Sequence, residues 1–234
     1  MGVLNRFALL ADIHGNIRAL DAVLSDLNRR GIDAIFDLGD SLQGPLWPAE
    51  TADRLIARAI PSVLGNDDRA MLEQPLRPEH RAWIETLPVT REPDRDVLLF
   101  HGTPASDLVY LLEDVQREGV RLRETAAIRQ LLGGVAHSLI ACGHSHLART
   151  VQLDERTLVV NPGSVGLPAY RADHPHPHIM EAGSPHARYA IVERAGEGWK
   201  VELIAVPYDH QAASRRAAAN GRSDWAARLL TGRV

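Results

Sequence analysis

The sequence predicts an α/β fold, a mixed β-sheet layer with helices on its outer faces. Strand and helix signals alternate through the first third of the chain, as a parallel sheet with crossover helices requires. Short strands dominate from Thr150 onward, which suits an antiparallel finish. Polar, glycine-flanked residues recur where the apolar runs give out, the place where α/β sheets carry their ligands.

Each element has its own signal. RFALLAD reads as a buried strand, after which Ile17, Leu20, Val23, Leu24 and Leu27 recur at helical spacing until Gly31 closes the helix. AIFDLGD is a second strand. A helix follows around Thr51 to Ala59 with Pro48 near its start, and PSVLGN reads as a third short strand. Asp67 to Leu87 has helical composition broken by Pro75 and Pro78, and DVLLFHG restores a buried strand ending at His101. Thr103 to Gly119 reads as a loop and helix lying over the site. ETAAIRQLLGG is a glycine-closed helix and HSLIACGH another strand.

TVQLD, TLVVNPG, RYAIVER and WKVELIAV then read as strands. In the last, Val201, Leu203 and Ala205 share one face and Lys200 and Glu202 the other. ADHPHPHIMEAGSPH reads as a long surface loop, and Asp209 onward as helix with stops at Gly221 and Gly232. No linker or solenoid repeat interrupts the chain, so residues 1–234 read as one domain.

The bulk properties narrow the function. The chain has 234 residues, 45% hydrophobic and 24% charged, with a formal net charge of -4. That balance fits a globular protein and argues against a nucleic-acid coat, which needs a strongly basic face. Cys142 is the only cysteine, which excludes an internal disulfide and points to a reducing compartment, the cytoplasm. FALLA is too short for a signal core, and no run approaches the roughly 20 apolar residues of a membrane helix.

The chemistry gathers at the strand ends: Asp12 and His14 after the first, Asp40 after the second, Asn66 after the third, His101 after the next, and His144 and His146 after HSLIAC. Residues separated by one on an extended segment point the same way, so Asp12 with His14, and His144 with His146, can each supply two donors to a single site. Imidazole, carboxylate and amide oxygen without thiolate suit Mn, Fe, Zn, Co or Ni, whereas calcium favours oxygen alone. Two such ions roughly 3.5–4 Å apart can clamp a phosphoryl group.

The ordered set DIHGN, GD, GND, HG and GHSH, followed by NPGSVG, resembles the calcineurin-like metallophosphoesterase superfamily, in particular its small bacterial phosphodiesterase-type branch. The resemblance spans Asp12 to about Gly166. It implies a four-layer αββα sandwich and a hydrolase for phosphoric esters with two divalent ions, manganese first. It further implies that Asp12, His14 and His146 hold one ion, that Asn66, His101 and His144 hold the other, and that Asp40 bridges them. The reaction it implies is attack of a metal-bridging hydroxide on the phosphorus of a small phosphodiester, nucleotide or dinucleoside polyphosphate.

One departure stands out. Many relatives follow the GN motif with a histidine that touches substrate; here Asp67 follows. Either Asp67 is a weaker acid, or substrates with good leaving groups are preferred, or Asp67 caps the helix that begins there. Ser164 in NPGSVG reads as a substrate contact or part of a plain turn, and Asn66 as both ligand and substrate contact. Arg149 and Arg171 are candidate phosphate contacts. His174, His176 and His178 form an accessory metal site, a reach over the cleft, or a solvated loop. His80, His137, His186 and His210 carry no partner pattern and read as structural or surface residues. The expected partner is a small phosphorylated substrate, with no membrane and no nucleic acid; the oligomeric state is left open. The competing readings are a non-catalytic scaffold for a protein partner and a nuclease. Scaffold relatives have lost ligand histidines and this chain has not, while a nuclease would call for a basic stripe with aromatics.

Overall fold

A computed structural model describes residues 4–234. The opening strand β1 (Arg6–Leu10) shows how the layers arise. Its side chains alternate, Phe7 and Leu9 to one face and Ala8 and Leu10 to the other, and all four are fully buried. A strand buried on both faces lies inside a stack of layers.

Helix α1 (Ile17–Arg29) covers the second of those faces with Leu20, Val23, Leu24 and Leu27. The Asn16 side chain caps it, its Oδ1 accepting from the Ala19 N–H at 3.2 Å. Strand β2 (Ile35–Asp37) and helices α2 (Pro48–Ala57), α3 (Asn66–Met71) and α4 (Pro78–Glu85) follow. Next come β3 (Thr90–Asp94), β4 (Val97–Phe100), β5 (Glu113–Gln116), β6 (Gly119–Leu122), α5 (Thr125–Leu132), β7 (Leu139–Ala141), β8 (Arg149–Gln152) and β9 (Leu158–Asn161). The chain ends with β10 (Ala169–Ala172), β11 (His178–Glu181), β12 (Ala187–Ala195), β13 (Gly198–Val206), α6 (His210–Ala219) and α7 (Ser223–Thr231).

Two main sheets result, in the orders β13-β12-β1-β2 and β3-β4-β7-β9-β8. In the first, β1 and β2 are parallel and the rest antiparallel; in the second, β4, β7 and β9 are parallel. Phe7, Leu9, Leu38, Val97, Leu99, Leu139 and Val160 form the core between the sheets. Helices α1 and α2 cover the outside of the first sheet, and α5, through Ile128 and Leu132, the outside of the second. This is the expected αββα sandwich. Each large apolar side chain buried there contributes about 1.5–3 kcal/mol. Among the described residues no helix is long and apolar enough to cross a membrane.

Four local expectations change. PSVLGN makes only one bridge, Ser62 to Asp37, because the chain turns away at once to start α3. Thr103 to Gly119 holds no helix; its end forms the hairpin β5–β6. The His- and Pro-rich loop contains β11, paired with β10. On β13, Val201 packs between the sheets, while Leu203 stays 42% exposed and Ile204 and Val206 join the core beside α1 on the opposite face. An edge strand lacks the neighbour that would cover one side completely.

Candidate metal centre

Parallel strands deliver side chains at their carboxyl ends, and here both sheets do so at one place. β1 runs out into Asp12 and His14, β2 into Asp40, β4 into His101 and β7 into His144 and His146. Asn66 opens α3. Two groups of potential ligand atoms lie within 4.8 Å of one another: Asp12, His14 and His146 in one, Asp40, His101 and His144 in the other. The first group has the members that the resemblance assigns to one ion, and the second brings Asp40 together with His101 and His144. Asn66 lines the same cleft.

The backbone is bent to achieve this. Among the described residues, six that are not glycine have positive φ, and five of them are Asp12, His14, Asp40, His144 and His146. Each such conformation costs on the order of 1–3 kcal/mol, so the surrounding bonds must hold it. The Asp68 carboxyl is fully buried and accepts the N–H groups of Ser41 at 2.9 Å and Leu42 at 3.0 Å, pinning the loop after Asp40. Asn161 donates to the Gly143 carbonyl at 2.8 Å, fixing the turn before His144. The Asn16 side chain also donates to the Gly166 carbonyl at 2.9 Å, tying α1 to the NPGSVG loop. Glycine is required at 166, since a Cβ there would lie 1.7 Å from the Ile13 carbonyl oxygen.

Three imidazoles are oriented by carbonyls. Nδ1 of His14, His146 and His101 lies 3.0, 2.7 and 2.8 Å from the carbonyl oxygens of Gln43, Leu167 and Leu38. A carbonyl only accepts, so each Nδ1 carries hydrogen, and in the neutral ring Nε2 presents a bare lone pair. Nε2 of His14 faces Nε2 of His146 at 3.1 Å. Two lone pairs held that close repel unless a positive centre lies between or beside them. Among buried polar atoms without a hydrogen-bond partner are Asp12 Oδ2, Asn66 Oδ1 and His101 Nε2, all on candidate ligands. The last lies 3.1 Å from Asp40 Oδ2, in ionic contact without hydrogen-bond alignment.

The electrostatics agree. Burial pushes the Asp40 carboxyl up, but His101, His14 and His144 outweigh it and hold it well below the usual range. Burial likewise raises Asp12, and His146 and His101 together more than reverse it. His101 is disfavoured as a cation by burial, yet Asp40 and Asp12 raise it to about 10. Burial, then neighbouring histidines, lower His14 and His144 to about 4, leaving them neutral as ligands must be. The Asp12 and Asp40 carboxylates are both buried here, and buried charge demands a partner. A cation fits.

Other expected residues fall differently. Asp67 does not cap α3, because Gly65 occupies that position. Its N–H donates to Asp40 Oδ1 at 2.8 Å, its carboxyl lines the cleft, and burial, then Asp40, raise it to about 7. It also forms a third group with His14 and Asp40. Ser164 is a correction: its buried hydroxyl donates to the Asp12 carbonyl at 2.7 Å and accepts from the Leu167 N–H at 2.8 Å, so it braces the centre and its one hydrogen is not available to a phosphoryl oxygen. Arg149 pairs with Glu113 at 3.2 Å, away from the cleft, whereas Arg171 lines it. His178 is buried and 3.1 Å from the Tyr110 hydroxyl, while His174 is exposed on the loop. His80 is buried against Asp53 at 2.7 Å, His137 lies 3.5 Å from Glu92, and His186 and His210 are half-buried.

The sequence left several cleft residues unmarked. The Tyr110 ring lies over His144 with centroids 4.5 Å apart, and the Tyr110 and Tyr170 hydroxyls lie 2.9 Å apart. Gln43, Trp225, Arg222 and Arg228 complete the walls of a cavity of about 330 Å³. Only the pairing of loops in space brings them there.

The sequence matches the profile of the calcineurin-like phosphoesterase superfamily domain over residues 6–183. The chain belongs to this superfamily. An uncharacterized protein of Methanocaldococcus jannaschii is 26% identical over 270 residues, covering 99% of this chain and 100% of its own. Among solved structures, a metallophosphoesterase from Sphaerobacter thermophilus is similar with a TM-score of 0.76 at 23% identity, covering 98% of this chain and 100% of that one. A hypothetical protein from Pyrococcus horikoshii OT3 has a TM-score of 0.68 at 17% identity, covering 98% and 99%. These structures share the superfamily fold, and the match to the profile includes every strand end that contributes to the centre.

Proposed function

We propose that this chain is a dinuclear metal-dependent phosphoesterase acting on a small phosphodiester, nucleotide or dinucleoside polyphosphate. The observation that carries this reading is the pair of opposed, carbonyl-oriented imidazoles, His14 and His146, with Asp12 beside them and Asp40 with His101 in the adjoining set. Asp12, His14 and His146 would hold one ion, Asn66, His101 and His144 the other, and Asp40 would bridge them. Bound there, two divalent ions, manganese foremost, supply a nucleophilic water at neutral pH and neutralise the phosphoryl oxygens.

The chain's own residues do the rest. The carbonyls of Gln43, Leu38 and Leu167 fix the imidazole tautomers, so no reorganisation is needed when substrate arrives. Tyr110 and Tyr170 hold the His144 turn, Tyr170 donating to the His144 carbonyl at 3.1 Å. Asn66 faces the cleft as a contact for a phosphoryl oxygen, and Asp67 takes the part of proton donor to the leaving oxygen. The proposed setting is one domain in the cytoplasm, in keeping with the single, buried Cys142.

A hydrolysis screen decides it. Mn, Ni, Co, Zn and Mg are tested against bis-aryl phosphate, aryl monophosphate, cyclic nucleotides and dinucleoside polyphosphates, with metal content measured in parallel. Near two ions per chain and manganese-stimulated turnover, both lost in Asp40→Ala, are expected. Absence of turnover with every metal and substrate would overturn the reading.

A further inference from the structure

The cleft carries three arginines besides the candidate metal ligands. Arg171, at β10, and Arg222 and Arg228, at either end of α7, line the same cavity as His14, Asp40 and His144. Arg222 and α7 lie beyond residues 6–183, outside the part of the chain matched by the superfamily profile. One carboxylate, Asp224, touches two of the three guanidiniums, Arg222 at 2.8 Å and Arg228 at 3.4 Å. Three guanidiniums thus share one paired carboxylate, Asp224, while Asp40 and Asp67 line the same cavity beside the candidate metal ligands.

Two of these arginines, Arg222 and Arg228, are held in place. Trp225, between them in sequence, is 5% exposed, and its ring meets the His14 ring edge-on at a centroid distance of 5.9 Å. The Arg222 guanidinium lies 5.5 Å from the centre of the Trp225 ring. The Arg228 side chain is 15% exposed. Burial pushes its guanidinium down, and Arg222 and Arg171 push it further against the opposing pull of Asp224, as expected for cations crowded together. Like charges gathered in a partly dry cleft repel one another until an anion joins them.

Resting on the phosphoesterase reading above, we infer that Arg171, Arg222 and Arg228 form a second anion subsite, which takes a phosphate other than the one attacked. The planar guanidinium fork matches phosphate oxygens in pairs, so three of them suit a polyphosphate chain better than a lone ester. The substrate class is therefore one with two or more linked phosphates. The candidate metal ligands receive the phosphoryl group to be cleaved, and α7 grips the remainder of the chain.

The test has two readouts. Calorimetry measures binding of inorganic tripolyphosphate to the metal-free full chain in chelator. Wild type should bind, and Arg222→Gln and Arg228→Gln should each weaken binding about tenfold or more. With manganese, the kcat/KM ratio of a dinucleoside polyphosphate to bis-aryl phosphate should fall about tenfold or more in the same variants. Arg54→Gln, on α2 away from the cleft, should leave that ratio unchanged. Arg222 is half-exposed, so its variant tests the idea even where Arg228→Gln unfolds, which thermal melting would reveal. Wild type that ignores tripolyphosphate, variants that bind it as tightly as wild type, or an unchanged ratio would each overturn the subsite. Arginine-dependent tripolyphosphate binding in a chain that hydrolyses nothing would keep the subsite and remove the phosphoesterase reading.

Discussion

Gly65 stands where a side chain would strike the centre, since a Cβ there would come within 2.1 Å of Asp40 Oδ1 and 2.3 Å of the Asp40 N. Backbone cannot yield cheaply, so Gly65→Ala should displace the Asp40 carboxylate while leaving the core intact. The expected outcome is a protein with near-wild-type circular dichroism, reduced metal content, and activity lower by about a hundredfold or more. Asp68 illustrates a different dependence. Replacing it with Ala would leave the buried N–H groups of Ser41 and Leu42 without an acceptor, at about 1–3 kcal/mol each, and thermal melting should show the loss. At this scale the seven proposed ligands were legible in the sequence, because each sits beside glycine or in an alternating pair at the end of an apolar run. Asp68, Asn161 and Tyr110 were not. Their task depends on which loop lies beneath them, and spacing along the chain does not carry that information.

Helix α1 is fastened to the sheet at more than its apolar stripe. Asp26, on its last turns, accepts the Tyr189 hydroxyl of β12 at 2.5 Å and the guanidiniums of Arg29 and Arg30, both at 2.7 Å. Burial alone would raise this carboxyl, but the Tyr189, Arg30 and Arg29 bonds outweigh it and hold it below the ordinary 3.8. Its contribution is therefore complete above the unfolded value and is lost as pH falls through the lower folded one. Asp26→Asn should cost about 1–2 kcal/mol at neutral pH, the carboxylate being partly screened by solvent. The gap between the two melting curves should close below about pH 4; a gap that widens in acid would contradict the assignment. Elements with a clean period were predictable, α1 and α5 by their 3.6-residue stripe and β4 and β7 as apolar runs. The β5–β6 hairpin was not, because in EDVQREGVRL the buried face of β5 starts with a charged residue, Glu113, and β6 is mostly open to solvent, so no apolar alternation shows. The hairpin β10–β11 was hidden in the same way by its prolines and histidines.

For the molecule as a whole, the αββα stack aims the ends of two sheets at one point, and buried negative charge collects there. Cations bound only by the folded state should stabilise all of it together. At about a hundredfold excess over Kd the gain is about 2.7 kcal/mol, or about 5–10 °C in Tm for a chain of this size. Scanning calorimetry with manganese and then with chelator should show the rise and its reversal, and Asp12→Asn should abolish the rise. The left-handed backbone at Asp12, His14, Asp40, His144 and His146 has a further consequence. Glycine and asparagine adopt that conformation with less strain, so the most relaxed version of this polypeptide would carry them at those five positions and do no chemistry. Breeding for heat resistance without an assay for turnover would drift toward that inert form, and sturdiness would then be a sign of lost purpose.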